Sequence, residues 1–128
     1  MVTDPISDFL IRLKNGSAVR REAVLVPFSS MKLRLAELLS REGYVGKVGR
    51  KASGALEVEL RYGVSGRPAI TGATRISKPS RRLYRGVRDI HPVKRGHGLL
   101  VLSTPHGVLT GKEAHKKRAG GEVLFEIW

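Results

Sequence analysis

The 128-residue sequence contains no cysteine. Disulfides, thiolate metal sites and cysteine nucleophiles are therefore excluded, and the composition is compatible with a reducing compartment. No apolar run approaches the roughly 18 residues of a membrane span. The first residues, "MVTDPISDF", carry two acids and none of the basic residues that open a secretory signal. A soluble, unexported protein is expected, and the sequon-like Asn15-Gly16-Ser17 is then a chance match. Internal repeats, heptads and low-complexity tracts are also missing. Acidic residues are the scarcest class relative to their counterparts: 11 Asp plus Glu face 24 Lys plus Arg, a net charge of +13. The shortage is uneven, since residues 63–121 hold 13 basic and only 2 acidic side chains. Such an excess repels itself in a folded chain and makes most physical sense against a polyanion, whose condensed counterions each bound cation releases. Nucleic acid is the expected partner, ahead of an anionic membrane or a merely solvated basic surface.

The 41% of hydrophobic residues suffice to bury a core without staples. "TDPISDFLIRLKNG" predicts a helix capped by Asp4, with Pro5 in the first helical position and Asn15-Gly16 as a left-handed exit. Ile6, Phe9, Leu10 and Leu13 form its apolar stripe, which leaves Arg12 and Asn15 off the stripe and open to a partner or to water. "AVLVP" predicts a strand, and "SSMKLRLAELLSREG" a second helix opened by Ser29 or Ser30, buried by Leu35, Ala36, Leu38 and Leu39, and closed by Gly43. "YVGKV" and "ALEVELRY" predict two more strands. Turn residues in "GVSGRP" then coincide with the change in charge. Beyond them, "AITGATRIS", "RRLYRGV", "GLLVLS" and "EVLFEIW" predict strands, and "TGKEAHKKRAG" one short helix with Thr110 and Glu113 at capping-box spacing and Gly120 as terminator. The expected fold is α+β with two small domains. Residues 1–64 form an N-terminal helix-strand-helix-strand-strand domain, and residues 65–128 a C-terminal, mostly β domain with one short helix.

Three chemistries can be tested on "STPHGVLTGKEAH". A phosphate loop needs G-x-x-x-x-G-K-[ST], but Gly107 to Gly111 is one residue short and Glu113 stands where the hydroxyl belongs. A Ser103/His106 dyad lacks a nucleophile elbow and an orienting acid. His91, His97, His106 and His115 have neither H-E-x-x-H spacing nor nearby carboxylate pairs, so no metal or other cofactor is called for. The remaining reading is a polar turn at Pro105-His106-Gly107 between apolar segments. There the Ser103 and Thr104 hydroxyls can meet RNA sugars and base edges while Gly107 permits close approach. An ordinary β-turn would read the same way.

"SKPSRRLYRG" interleaves hydroxyls, cations and one aromatic. Lys78, Arg81, Arg82 and Arg85 can reach phosphates, and Tyr84 can either stack on a base or fill the core. In strand geometry Arg82 and Tyr84 share one face, with Arg81, Leu83 and Arg85 on the other. His115, Lys116, Lys117 and Arg118 sit near a helix C-terminus, where the dipole favours cations in any case.

"DPISDFLIRLKNG", "EGY", "RISKPSRRLY" and "VLSTPHGVLT" followed by "GGE", in that order across nearly the whole chain, resemble the bacterial-type small-subunit ribosomal protein eight family. The resemblance implies two small α/β domains, no enzymatic activity and a cytoplasmic place in the small ribosomal subunit. It also implies primary binding to the central domain of small-subunit (16S) ribosomal RNA and contacts with small-subunit ribosomal proteins five and twelve. Some bacterial members repress their own operon by binding its messenger RNA. Carried onto this chain, the main RNA contact falls on Ser103, Thr104 and Gly107, with Tyr84 and the Gly121-Glu122 corner alongside. Arg12, Asn15, Ser29, Ser30 and Lys32 form the N-terminal part of the footprint. One departure stands out: the family loop reads S-T-S, a basic residue and Gly, whereas here Pro105 and His106 occupy its third and fourth positions. Pro105 has neither hydroxyl nor N–H, and His106 carries full charge only when protonated, so this contact is expected to be weaker than a lysine version. Glu122 is expected either to position Ser103 or a neighbouring base donor, or to point away from RNA.

Overall fold

The computed structural model describes residues 4–93 and 96–128. Two compact units make up the chain, Pro5–Thr71 and Gly72–Trp128, with Asp4 belonging to the second. Residues 65–71 thus stay with the N-terminal unit. They fold back on it through the Tyr62–Pro68 bridge, the Ala69 N–H donating to the Arg61 carbonyl (2.9 Å) and Arg20 Nη1 donating to the Gly66 carbonyl (2.7 Å).

In the N-terminal unit, α1 (Pro5–Ala18) begins at Pro5, whose missing N–H costs nothing in the first turn. It buries Phe9, Leu10 and Leu13, as the stripe requires. The helix does not exit at Asn15-Gly16. Gly16 is helical and buried, and a Cβ there would sit 2.6 Å from Val24 Cγ1 and 3.0 Å from Leu60 Cδ1. Its smallness lets the helix lie on the sheet, and the left-handed residue is Arg20 (φ 60). Strand β1 (Ala23–Pro27) leads to α2 (Ser30–Arg41), capped by the Ser29 hydroxyl accepting from the Lys32 N–H (3.1 Å). β2 (Val45–Arg50) and β3 (Ala55–Leu60) complete an antiparallel sheet of order β1-β3-β2. Val24 and Val26 of β1 and Leu56, Val58 and Leu60 of β3 alternate inward, while Leu35, Ala36, Leu38 and Leu39 of α2 are all buried.

The C-terminal unit is a sheet of order β4-β8-β6-β7, built from β4 (Ala73–Arg75), β6 (Leu99–Thr104), β7 (Gly107–Thr110) and β8 (Gly121–Ile127). A two-residue strand, β5 (Tyr84–Arg85), also pairs with β8. The sequence pattern overstated β4 and β5. Before β4, Gly72 packs so closely on Trp128 that a Cβ would lie 2.8 Å from the indole. Before β5, residues 78–81 make a tight turn closed by two Lys78–Arg81 backbone bonds of 2.9 Å. The fully buried Ser77 hydroxyl pins that turn, accepting from the Leu83 N–H (2.7 Å) and donating to its carbonyl (3.2 Å). Helix α3 (Gly111–Lys117) starts with the expected capping box, Thr110 with Glu113, but ends on left-handed Arg118 (φ 50). Gly120 is needed for space instead, because a Cβ there would strike the Arg85 carbonyl and Gly86. Ile90, Val93, Leu100, Leu102, Ala114 and Val123 form a core cluster here, joined by Ile76 and Trp128. Among the described residues no helix is long and apolar enough to cross a membrane.

Candidate nucleic-acid interface

Strand register decides which residues meet in the C-terminal unit. Tyr84 pairs with Glu122, Glu122 with Ser103, and Ser103 with Val108, so Tyr84, Glu122 and Ser103 stand side by side in one row across three strands. Directly opposed residues point to the same face. Tyr84 is 68% exposed, which settles its choice between core and surface: the ring is open for stacking. Ser103 is half-buried, and its hydroxyl has no hydrogen-bond partner among the described residues. Between them, the Glu122 carboxylate is held by Arg82, whose Nη1 lies 3.2 and 3.3 Å from the two oxygens. Glu122 is thus paired with Arg82, a partner that the sequence reading did not name. The Glu122 side chain is 13% exposed and the Arg82 side chain 58%, so the pair shows solvent mainly its cationic partner. Gly121 makes the row possible, because a Cβ there would run into the Ser103 carbonyl.

The hairpin after Ser103 is tighter than its letters imply. Thr104 pairs with Gly107 across Pro105 and His106. Proline fixes the first loop residue at negative φ, so the mirror-image turns that suit strand twist are closed to it, and Gly107 takes up the difference at φ +101. The Thr104 hydroxyl donates to the Gly107 carbonyl (2.9 Å) and accepts from the His106 N–H (3.1 Å). That hydroxyl has no proton left for RNA. Pro105, His106 and Gly107 are exposed at the tip. Arg85 is half-buried on β5, while Lys78, Arg81 and Arg82 on the neighbouring turn are exposed. His115, counted with the basic run, is engaged by the Ile90 carbonyl (2.8 Å).

The N-terminal residues are placed differently. The Leu60 N–H donates to the Glu22 carbonyl (2.8 Å), so by strand alternation the carbonyls of Ala23, Leu25 and Pro27 face away from β3 along the free edge of β1. Two residues of the expected footprint cover that edge. Arg12 Nη1 donates to the Leu25 carbonyl (3.1 Å), its Nε meets Asp8 at 2.9 Å, and Lys32 Nζ donates to the Pro27 carbonyl (3.1 Å). Pro27 has no N–H to offer. A capped, proline-ended edge resists pairing with another strand. Lys32 is only 6% exposed, which the sequence could not reveal because Lys is rarely so buried. Ser29 is the N-cap of α2, whereas Asn15 and Ser30 are exposed. Asn15 lines an open groove of about 660 Å³ with Arg12, Val19, Arg21 and Leu25. Tyr62 closes this unit, its hydroxyl donating to the Arg21 carbonyl (2.5 Å). Burial raises the Tyr62 pKa above the ordinary phenol range, against a smaller lowering by Arg20.

A row of unpaired hydroxyl, exposed aromatic and guanidinium beside a hairpin tip has no catalytic constellation in it, and it is the kind of surface that meets RNA. The whole chain has counterparts of the same size. Residues 4–128 match the model of the family described as ribosomal protein S8. The chain is 44% identical over 128 residues to the small ribosomal subunit protein uS8 of Nitratidesulfovibrio vulgaris (strain DP4), covering 100% of both. It is 44% identical over 131 residues to that of Streptococcus sanguinis (strain SK36), covering 100% of this chain and 99% of the relative. With the protein of the same name from Erythrobacter litoralis (strain HTCC2594), 42% identity covers 99% and 98%.

The chain belongs to the ribosomal protein S8 family. It is a non-enzymatic constituent of the small ribosomal subunit and, with the ribosome, of the cytoplasm. Within this family member, Arg75 is a structural residue that the sequence did not single out. It bridges Asp4 (3.1 Å) and the Leu124 carbonyl (2.6 Å). Its partners are distant in sequence, so spacing carried no signal of it.

Proposed function

We propose that this S8 family protein binds the central domain of small-subunit ribosomal RNA as a primary binder, and that the row Tyr84, Glu122 with Arg82, and Ser103 is the main contact. The single observation that carries the reading is the register that lines these residues up on one face, with the ring exposed and the Ser103 hydroxyl unpartnered. Tyr84 stacks, Ser103 hydrogen-bonds a sugar or base edge, and Arg82 and Arg85 meet phosphates. Gly107 and His106 at the tip complete the surface, while Thr104 acts by shaping the turn. Within the expected span 65–128, the unit Gly72–Trp128 supplies this RNA-binding part, and Asn15, Ser29 and Ser30 add an N-terminal footprint. Arg12 and Lys32 belong to that footprint through the β1 edge they hold. Contacts with small-subunit ribosomal proteins five and twelve, and repression of its own operon through a messenger RNA that mimics the ribosomal site, extend the same reading on the strength of the family resemblance.

The test is a filter-binding titration of the purified chain on a central-domain RNA fragment. With about five phosphates neutralised, log K falls against log salt with a slope of roughly −3.5 to −4.5. A slope near zero refutes the proposal. Cosedimentation with small subunits separates this role from that of a free-standing regulatory RNA-binding module.

A further inference from the structure

A turn in the N-terminal unit gathers three arginines, of which Arg61 and Arg67 have no role described so far. The Tyr62–Pro68 bridge, the Gly63 N–H donating to the Arg67 carbonyl (2.8 Å) and the Gly66 N–H donating to the Gly63 carbonyl (2.9 Å) close a tight loop over residues 63–66. Arg20 reaches this loop from the end of α1 and donates to the Gly66 carbonyl, and a Cβ on Gly66 (φ +81) would sit 2.6 Å from its Nη1. Arg20 itself holds a left-handed backbone, uncommon outside glycine, because Arg21 is tied on the other side by its N–H to the Gly16 carbonyl (2.9 Å) and by Tyr62. Arg61 and Arg67, with Ser65 and Gly43, line an open depression of about 560 Å³ beside the loop.

All three arginines are exposed, and among the described residues none of them pairs with a carboxylate. Among the described residues neither Arg61 nor Arg67 donates a side-chain hydrogen bond, and the exposed Ser65 hydroxyl has no partner. Val64 projects from the tip, fully exposed. Guanidiniums collected around one turn repel each other, and their flat donor forks suit phosphate oxygens. The depression is too open to enclose a small anion, whereas a nucleic-acid strand can lay phosphates along it and a ribose against Val64.

We infer that Arg20, Arg61, Arg67 and the 63–66 loop form a second, sequence-independent contact for the phosphate backbone of ribosomal RNA, separate from the Tyr84–Ser103 row. This inference rests on the RNA-binding reading above, and its test keeps the two apart. Binding of the full-length chain to full-length small-subunit ribosomal RNA is titrated against salt for the wild type, Ser103→Ala, the double variant Arg61→Gln/Arg67→Gln and the charge-keeping Arg61→Lys/Arg67→Lys. Losing two phosphate contacts lowers the magnitude of the salt slope by about 1.5 and weakens binding at 0.1 M salt about 30-fold, and the lysine variant recovers the slope. Hydroxyl-radical footprinting of the glutamine variant loses a protected RNA patch that Ser103→Ala retains, while the thermal unfolding midpoint matches the wild type. A glutamine variant with the wild-type slope and footprint, alongside a weakened Ser103→Ala, overturns the second contact and leaves the first standing. The same slope with poorer incorporation into small subunits would assign the cluster to a protein partner and also overturn it. A wild type that does not bind RNA sinks both.

Discussion

Cations along the β1 edge of the unit Pro5–Thr71 and polar groups along the β8 row of the unit Gly72–Trp128 are used in opposite ways. In the first, Arg12 and Lys32 end on the carbonyls of Leu25 and Pro27, so charge that reads as available in the sequence is held at the β1 edge by the chain's own backbone. In the second, one ion pair, Arg82 with Glu122, leaves the Ser103 hydroxyl and the Tyr84 ring open on either side of it in the row. The difference follows from the sheets. Strand β1 is a free edge whose carbonyls need donors, and nearby cations supply them. β8 has neighbours on both sides, so its carbonyls are met mainly by other strands, with Arg75 reaching that of Leu124, and the Ser103 and Tyr84 side chains along the row have no backbone edge to cover.

Substitutions can break or sharpen this contrast. The largest effect is expected from Gly121→Ala, whose Cβ must displace the Ser103 carbonyl; a loss of about 3 kcal/mol in urea unfolding, with RNA binding lost in step, follows from backbone overpacking. Wild-type stability there would show that the row tolerates a shift of β6. Ser103→Ala removes a hydroxyl with no partner among the described residues, so it should cost about 2 kcal/mol in RNA affinity and under about 0.5 kcal/mol in stability. Stability and affinity falling together would make Ser103 an ordinary strand residue. Lys32→Met reverses that pattern. It leaves the Pro27 carbonyl without its donor, and about 1.5 kcal/mol of stability is lost with RNA affinity unchanged once folding is allowed for. A direct RNA role for Lys32 would appear as a changed salt slope. Thr104→Ala opens the hairpin turn and should cost about 1 kcal/mol of stability, readable as faster amide exchange at His106. Arg12→Gln gives the smallest change, about 0.5 kcal/mol, since its Asp8 pair is exposed and weak.

Much of the fold was legible along the chain because its signals are local. The stripe of α1, the Ser29 cap, the Thr110/Glu113 box and the alternation of Leu56, Val58 and Leu60 each depend on residues within a turn or two of one another. Where a signal depended on a distant neighbour, reading failed. Gly16 looked like an exit but is small because Val24 and Leu60 lie against it, and Gly120 looked like a terminator but makes room for Arg85 and Gly86. The candidate site divides the same way. Residue type marked Ser103, Tyr84 and Arg82, yet only strand register could place them in one row and tie Glu122 to Arg82.

By itself, the sequence determined the order of helices and strands, the basic character of the second half and the residue types that can meet RNA, because these follow from periodicity, capping and charge within short stretches. Tertiary structure alone decided which of those residues remain available. Burying Lys32 on a carbonyl, engaging the Thr104 hydroxyl in its own turn and leaving Ser103 unpaired are outcomes of which backbone groups lack a neighbour, and that is set by strand pairing across the sheet.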